Sequence, residues 1–81
     1  SGAHSAGIIR ILGSGQMSAT DLVSKLGLKA KQVLFKRSLQ ELLDKGLVEY
    51  TIPDKPKSRL QKYRLTNKGK QVLARMQGNF K

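Results

Sequence analysis

The stretch "LVEYTIPDKPKSRLQKYRLTNKG", Leu47 to Gly69, decides the fold. At its start, "GLVEYTI" is rich in β-branched and aromatic residues, and near its end, in "KYRLT", Tyr63 and Leu65 alternate with Lys62 and Arg64. A period of two sends Tyr63 and Leu65 to a core and Lys62 and Arg64 to solvent, so two strands are expected. Between Ile52 and Gly69 stand two prolines and six Lys/Arg, whereas a connector that only joins two strands is usually about two to five residues long and chemically modest. The pair therefore reads as a hairpin with a long tip. Pro53 suits the first central position of a turn, and Pro56 removes a second backbone donor while keeping the chain extended, which stiffens the tip and stops further pairing. The alternative is that prolines and charges merely guard a strand edge against aggregation.

Downstream of the hairpin, Thr66 can cap a final helix whose apolar residues are Val72, Leu73 and Met76. Lys68 and Lys70 in its first turns oppose the helix dipole by roughly a few tenths of a kcal/mol each, so something other than helix stability favours them there. Upstream, "LKAKQVLFKRSLQELLDKG" carries Phe35, Leu39, Leu42 and Leu43 at helical spacing and stops at Gly46. The other side of this third helix presents Lys31, Gln32, Lys36, Arg37 and Gln40. Val33 and Leu34 are open: one can complete the core stripe and the other can touch a partner. Ser18 and Asp21 imitate a capping box for a second helix, roughly Ala19 to Leu26, with Leu22, Val23 and Leu26 on one face and Gly27 closing it. A short extended piece around Gln16 and Met17 precedes it. Ile8, Ile9, Ile11 and Leu12 mark a first helix that Gly13 and Gly15 terminate. Residues 1–7 are small, polar and without period, and read as a disordered arm or a cloning remnant, with His4 a bystander. The domain is expected over 8–77, with 78–81 a tail.

Composition bounds the chemistry. Eighty-one residues make one small domain, near the size at which one core just offsets chain entropy. The chain has no cysteine, which excludes disulfides, thiolate chemistry and cysteine metal cages. The longest nearly apolar run, Ile8 to Leu12, is far short of the roughly 20 residues of a membrane span. Sixteen Lys/Arg against five Asp/Glu leave a net charge of +11, which repels itself and attracts polyanions. The excess is uneven: no acid lies between Val23 and Gln40 and none from Lys55 onward. Two basic segments stand out, Lys29 to Arg37 and Lys55 to Lys70.

Enzymatic readings lack parts. "GSGQMS" starts like a phosphate loop, but no clear strand precedes it and no GK[ST] follows. One histidine, scattered carboxylates and serines offer no nucleophile, base and orienting acid at any useful spacing. The expectation is no catalysis, no cofactor and no metal.

The order helix, extended piece, helix, turn, helix, hairpin, helix is that of a winged helix-turn-helix: α+β, mainly α, with a three-helix core, a two-stranded wing and a C-terminal helix. "SATDLVSKLGL" resembles the first half of a helix-turn-helix, "LQELLDKGLVEY" the end of a recognition helix running into a strand, and "YRLTNKGKQVL" the LT-x-KG junction of MarR-type regulators. The segment "YTIPDKPKSRLQKYRLTNKG" further resembles the C-terminal winged-helix module of Fic-family proteins and of RecG-like or Schlafen-like ATP-binding bacterial regulators. That resemblance implies a DNA-binding, transcription-regulating appendage of a larger cytoplasmic bacterial protein. An adenylyl-transferring Fic enzyme would need an "HPF" motif, which does not occur here; any catalytic portion lies elsewhere.

Double-stranded DNA is the expected partner. Gln32, Lys36 and Arg37 are the candidates for base edges, with arginine able to grip guanine bidentately and glutamine suited to adenine. Lys29, Lys31, Lys55, Lys57, Arg59 and Lys62 are assigned to phosphates. For Arg37 the alternative is a solvated pair with Glu41, four residues on. The competing class is a protein-interaction or dimerisation module, packing on other domains of a parent chain or on a second copy. A membrane surface and RNA are disfavoured, since basic membrane helices carry bulkier apolar faces and single strands need more aromatic platforms than this chain has. Oligomeric state and base sequence stay open.

Overall fold

The computed structural model of the protein describes residues 4–28 and 33–78. Four helices and a two-stranded antiparallel hairpin follow one another: α1 (Ser5–Leu12), α2 (Ala19–Lys25), α3 (Val33–Asp44), β1 (Val48–Tyr50), β2 (Tyr63–Leu65) and α4 (Asn67–Met76). This is the mainly helical α+β arrangement expected, consistent with a winged-helix architecture.

Helix α1 is the hub and touches α2, α3, α4 and β2. Ile8, Ile9 and Leu12 of α1 are buried together with Leu22, Phe35, Leu39, Leu42, Leu47, Val48 and Leu65. The first helix begins earlier than its apolar stripe. Ser5, Ala6 and Gly7 belong to α1, which corrects the reading of residues 5–7 as part of a disordered arm. Two contacts explain the extension. The His4 backbone N–H donates to Ser38 Oγ at 3.1 Å, and Gly7 lies so close to α2 that a side chain there would meet Leu26 Cδ2 at 2.7 Å. Ser38 is fully buried and donates in turn to the Leu34 carbonyl, so one hydroxyl ties the start of α1 to α3. Residues 1–3 lie outside the described residues.

The caps follow the sequence. Ser18 Oγ accepts from the Asp21 N–H at 3.1 Å, and Gly27 takes the left-handed φ of 70° that ends α2. At the end of α3, Gly46 N–H donates to the Leu43 carbonyl and Leu47 N–H to the Leu42 carbonyl, a Schellman closure with Gly46 at φ 72°. The hairpin register pairs Val48 with Leu65, Glu49 with Arg64 and Tyr50 with Tyr63. Leu65 is buried, Tyr63 half-buried, and Lys62 and Arg64 exposed, as alternation requires. Met17 adds a one-residue bridge to Tyr63 on the open edge of β2.

The junction "LTNKG" acquires a physical reason. Thr66 Oγ1 accepts from the Gly69 N–H at 3.1 Å and caps α4. A Cβ at Gly69 would collide with the Leu47 carbonyl oxygen, the same oxygen that accepts from Thr66 N–H. Lys68, unfavourable toward its own helix, donates from Nζ to the Lys45 carbonyl at 3.2 Å. It meets the negative end of α3's dipole, which accounts for a cation at that position.

Candidate nucleic-acid interface

The wing tip is built from three linked turns. Lys55 N–H donates to the Ile52 carbonyl, Ser58 N–H to the Lys55 carbonyl and Gln61 N–H to the Ser58 carbonyl, at 3.0 to 3.1 Å. Pro53 and Pro56 thus each occupy the first central position of a turn, where a fixed φ suits and no N–H is needed. For Pro53 this is the expected role. Pro56 corrects the expectation of an extended chain: its turn starts at Lys55, the residue that closes the previous one.

Gln61 holds these turns together, and sequence reasoning missed it. Its side chain is buried, 5% exposed, inside the loop it closes. Oε1 accepts from the Ile52 N–H at 2.9 Å and from the Thr51 hydroxyl at 3.4 Å, while Nε2 donates to the Ile52 and Lys55 carbonyls at 2.6 and 3.1 Å. Both amide hydrogens and both lone pairs are used, so burial leaves no polar atom unmet. A neutral amide among cations is the one hint the sequence carries, and it does not separate a buried staple from a surface residue.

Around this staple Lys55, Lys57, Arg59 and Lys62 are all exposed. On α3, at about 3.6 residues per turn, Val33, Arg37, Gln40 and Asp44 form the line opposite the buried Phe35, Ser38, Leu39 and Leu42. Lys36 and Arg37 are exposed, Lys36 on the flank shared with Leu43. Glu41 sits 3.4 Å from Lys45 Nζ. Lys29, Lys31 and Gln32 lie outside the described residues. Val33 and Leu34 are 65% and 53% exposed, so neither completes the core stripe.

Between α3 and the wing root runs a depression of about 420 Å³ lined by Gln40, Leu43, Asp44, Val48, Glu49, Tyr50, Pro53 and Arg64. The third helix and the hairpin therefore border one hollow, but its floor is not uniformly positive. Gln40 Nε2 donates to Asp44 Oδ1 at 2.9 Å, and Glu49 is paired with Arg64 at 2.8 Å. Exposed cations stand on the N-terminal half of α3, at Lys36 and Arg37, and on the wing tip, with others elsewhere on the surface, among them Lys45, Lys68 and Lys70. Tyr50 and Tyr63 stack obliquely at 5.6 Å beneath the wing. Burial first, and Tyr50 second, push the Tyr63 phenol above its ordinary 10.0.

The model of the Filamentation induced by cAMP protein Fic-like, C-terminal domain family matches residues 5–66. The chain belongs to the Fic-like C-terminal domain family. A crystal structure of a Fic family protein from Desulfovibrio desulfuricans G20 superimposes with a TM-score of 0.73 at 36% identity, over 85% of this chain and 21% of that one. This chain thus corresponds to about a fifth of that Fic protein's length. No curated protein matches it. Among the described residues, no helix is long and apolar enough to cross a membrane.

Proposed function

We propose that this Fic-like C-terminal domain is a winged-helix module that binds duplex DNA for a larger bacterial Fic-family protein, acting in the cytoplasm as a targeting or regulatory appendage. The observation that supports the reading is the exposure of Lys36 and Arg37 at the start of α3 and of Lys55, Lys57, Arg59 and Lys62 on a tip stiffened by Gln61. A stiff tip loses little conformational entropy on docking. Along the outward line of α3 the side chains run from Arg37 through Gln40 to Asp44. The helix therefore enters a major groove by its N-terminal half, keeping Asp44 off the phosphates. Val33, beside Arg37 on that line, suits a thymine methyl group. The domain supplies binding, and any catalysis resides in the remainder of the parent protein.

The test is titration of a fluorescent duplex at several salt concentrations. With roughly five phosphates neutralised, log affinity falls with log salt at a slope of about −4 to −5, and Lys57→Ala lowers its magnitude by about 1. Absent binding at low salt, or binding indifferent to salt, refutes the proposal. A second reading, docking on the parent protein or another copy, draws on the exposure of Val33 and Leu34. Chemical-shift mapping separates the two: DNA perturbs the wing and α3 together, whereas a protein partner perturbs Val33 and Leu34 without the wing cations.

A further inference from the structure

Leu60 is 75% exposed, more than either apolar residue at the start of α3. It occupies the second central position of the last wing turn, whose closing residue is the buried Gln61. The Leu60 N–H donates to Ser58 Oγ at 3.1 Å, and the Gln61 amide is gripped on four sides. The backbone carrying Leu60 is thus fixed from both neighbours while its side chain is left in water. Single exposed leucines are ordinary on protein surfaces, but this one is flanked in sequence by Lys57, Arg59 and Lys62, and the one acid of the tip, Asp54, belongs to its first turn. An apolar tip in a cationic collar fits a polyanion that offers an apolar slot, and a step between stacked base pairs in a minor groove is such a slot.

We propose that Leu60 is a wedge: with α3 in a major groove, the wing tip enters the neighbouring minor groove, and Leu60 partly unstacks one base step and kinks the duplex. Arg59 lies along the groove floor, where narrow A·T tracts concentrate negative potential, and Lys57 and Lys62 meet the flanking phosphates. Flexible pyrimidine–purine steps such as TA are the favoured sites, because they unstack most readily. The proposal rests on the duplex-binding reading above. An anionic membrane also attracts basic and apolar groups, but stable attachment draws on a whole apolar helix face rather than one leucine.

The experiment uses the 81-residue chain and a short duplex holding a central TA step, labelled at both ends for energy transfer. The unaltered protein shortens the end-to-end distance, as a kink of about 20–90° requires. Leu60→Ser binds about tenfold more weakly and leaves the duplex straight, yet keeps the salt slope because no charge is removed. Arg59→Ala lowers the slope by about 1 and erases the preference for A·T over G·C flanks. Netropsin, which fills the A·T minor groove, displaces the wing and relaxes the bend. Duplex binding that persists with no bend, or with a bend and affinity indifferent to Leu60→Ser, overturns the wedge and leaves the parent reading standing. Loss of all duplex binding overturns both, and Leu60-dependent binding to phosphatidylserine vesicles without DNA bending assigns the tip to a membrane instead.

Discussion

At the scale of single residues, Gly69 shows how a short motif encodes a close approach between two elements. Its Cα lies over the Leu47 carbonyl, so any side chain forces α4 away from the connection between α3 and β1, where Thr66 holds them together. Gly69→Ala is expected to cost on the order of 2–4 kcal/mol, since backbone rather than a flexible side chain must move. Urea denaturation of the two proteins measures it, and a change below about 0.5 kcal/mol rules the collision out. The motif was legible in the sequence as a junction, but the reason for its glycine was not, because Leu47 lies well before it in the chain, in the connection between α3 and β1. Tyr63 supports a second prediction. Burial first, and repulsion from the charge of an ionised Tyr50 second, disfavour its phenolate in the folded protein, so the native state holds this proton more tightly than the unfolded chain does. The resulting stabilisation is fully present below about pH 10 and is lost as pH rises through the raised native value. Thermal melts between pH 8 and 11.5 should show Tyr63→Phe losing less stability than the unaltered protein above pH 10; parallel pH curves count against the argument.

At the scale of elements, α2, α3 and α4 were legible because each carries punctuation of its own: Ser18 and Thr66 at starts, Gly27 and Gly46 at stops, and apolar residues at helical spacing between. The start of α1 was not, since Ser5, Ala6 and Gly7 gain their helical place from contacts with Leu26 and Ser38 that have no signature in the local sequence. The wing was half legible. Its prolines announced turns, but the three-residue spacing of Ile52, Lys55, Ser58 and Gln61 became meaningful once the last of them proved to be buried at the centre. Of the candidate interface, the described cations are exposed as expected, whereas the acids lining the hollow between α3 and the wing follow from hairpin register and helix phase together. Gln61→Ala tests the staple. It leaves the Ile52 and Lys55 backbone groups without their buried partner, at about 1–3 kcal/mol if none is replaced by water. Amide exchange should quicken across residues 52–61 while α1 and α3 stay protected, and unchanged wing protection defeats the staple assignment.

At the scale of the whole molecule, a net charge of +11 is carried on a body of 38 × 27 × 21 Å. At 0.1 M ionic strength the screening length is about 10 Å, so each cation interacts with several others across so small a particle. The Arg64–Glu49 and Lys45–Glu41 pairs are largely exposed and relieve little of that repulsion. The excess proposed to draw a duplex therefore also weakens the fold, and salt, by screening both the attraction and the self-repulsion, should lower affinity while raising stability. Between about 0.02 and 0.5 M sodium chloride, the melting temperature of the free domain should rise as repulsion is screened, while duplex affinity falls. On the proposed duplex-binding reading, duplex added at low salt should stabilise by linkage, by about 2.7 kcal/mol at a hundredfold excess over Kd, and this gain should vanish at high salt. Calorimetry with and without duplex measures both curves on one sample. A melting temperature of the free domain that stays flat or falls with salt means the cations lie too far apart to repel, and a charge surface so dilute could not hold the backbone of a duplex either.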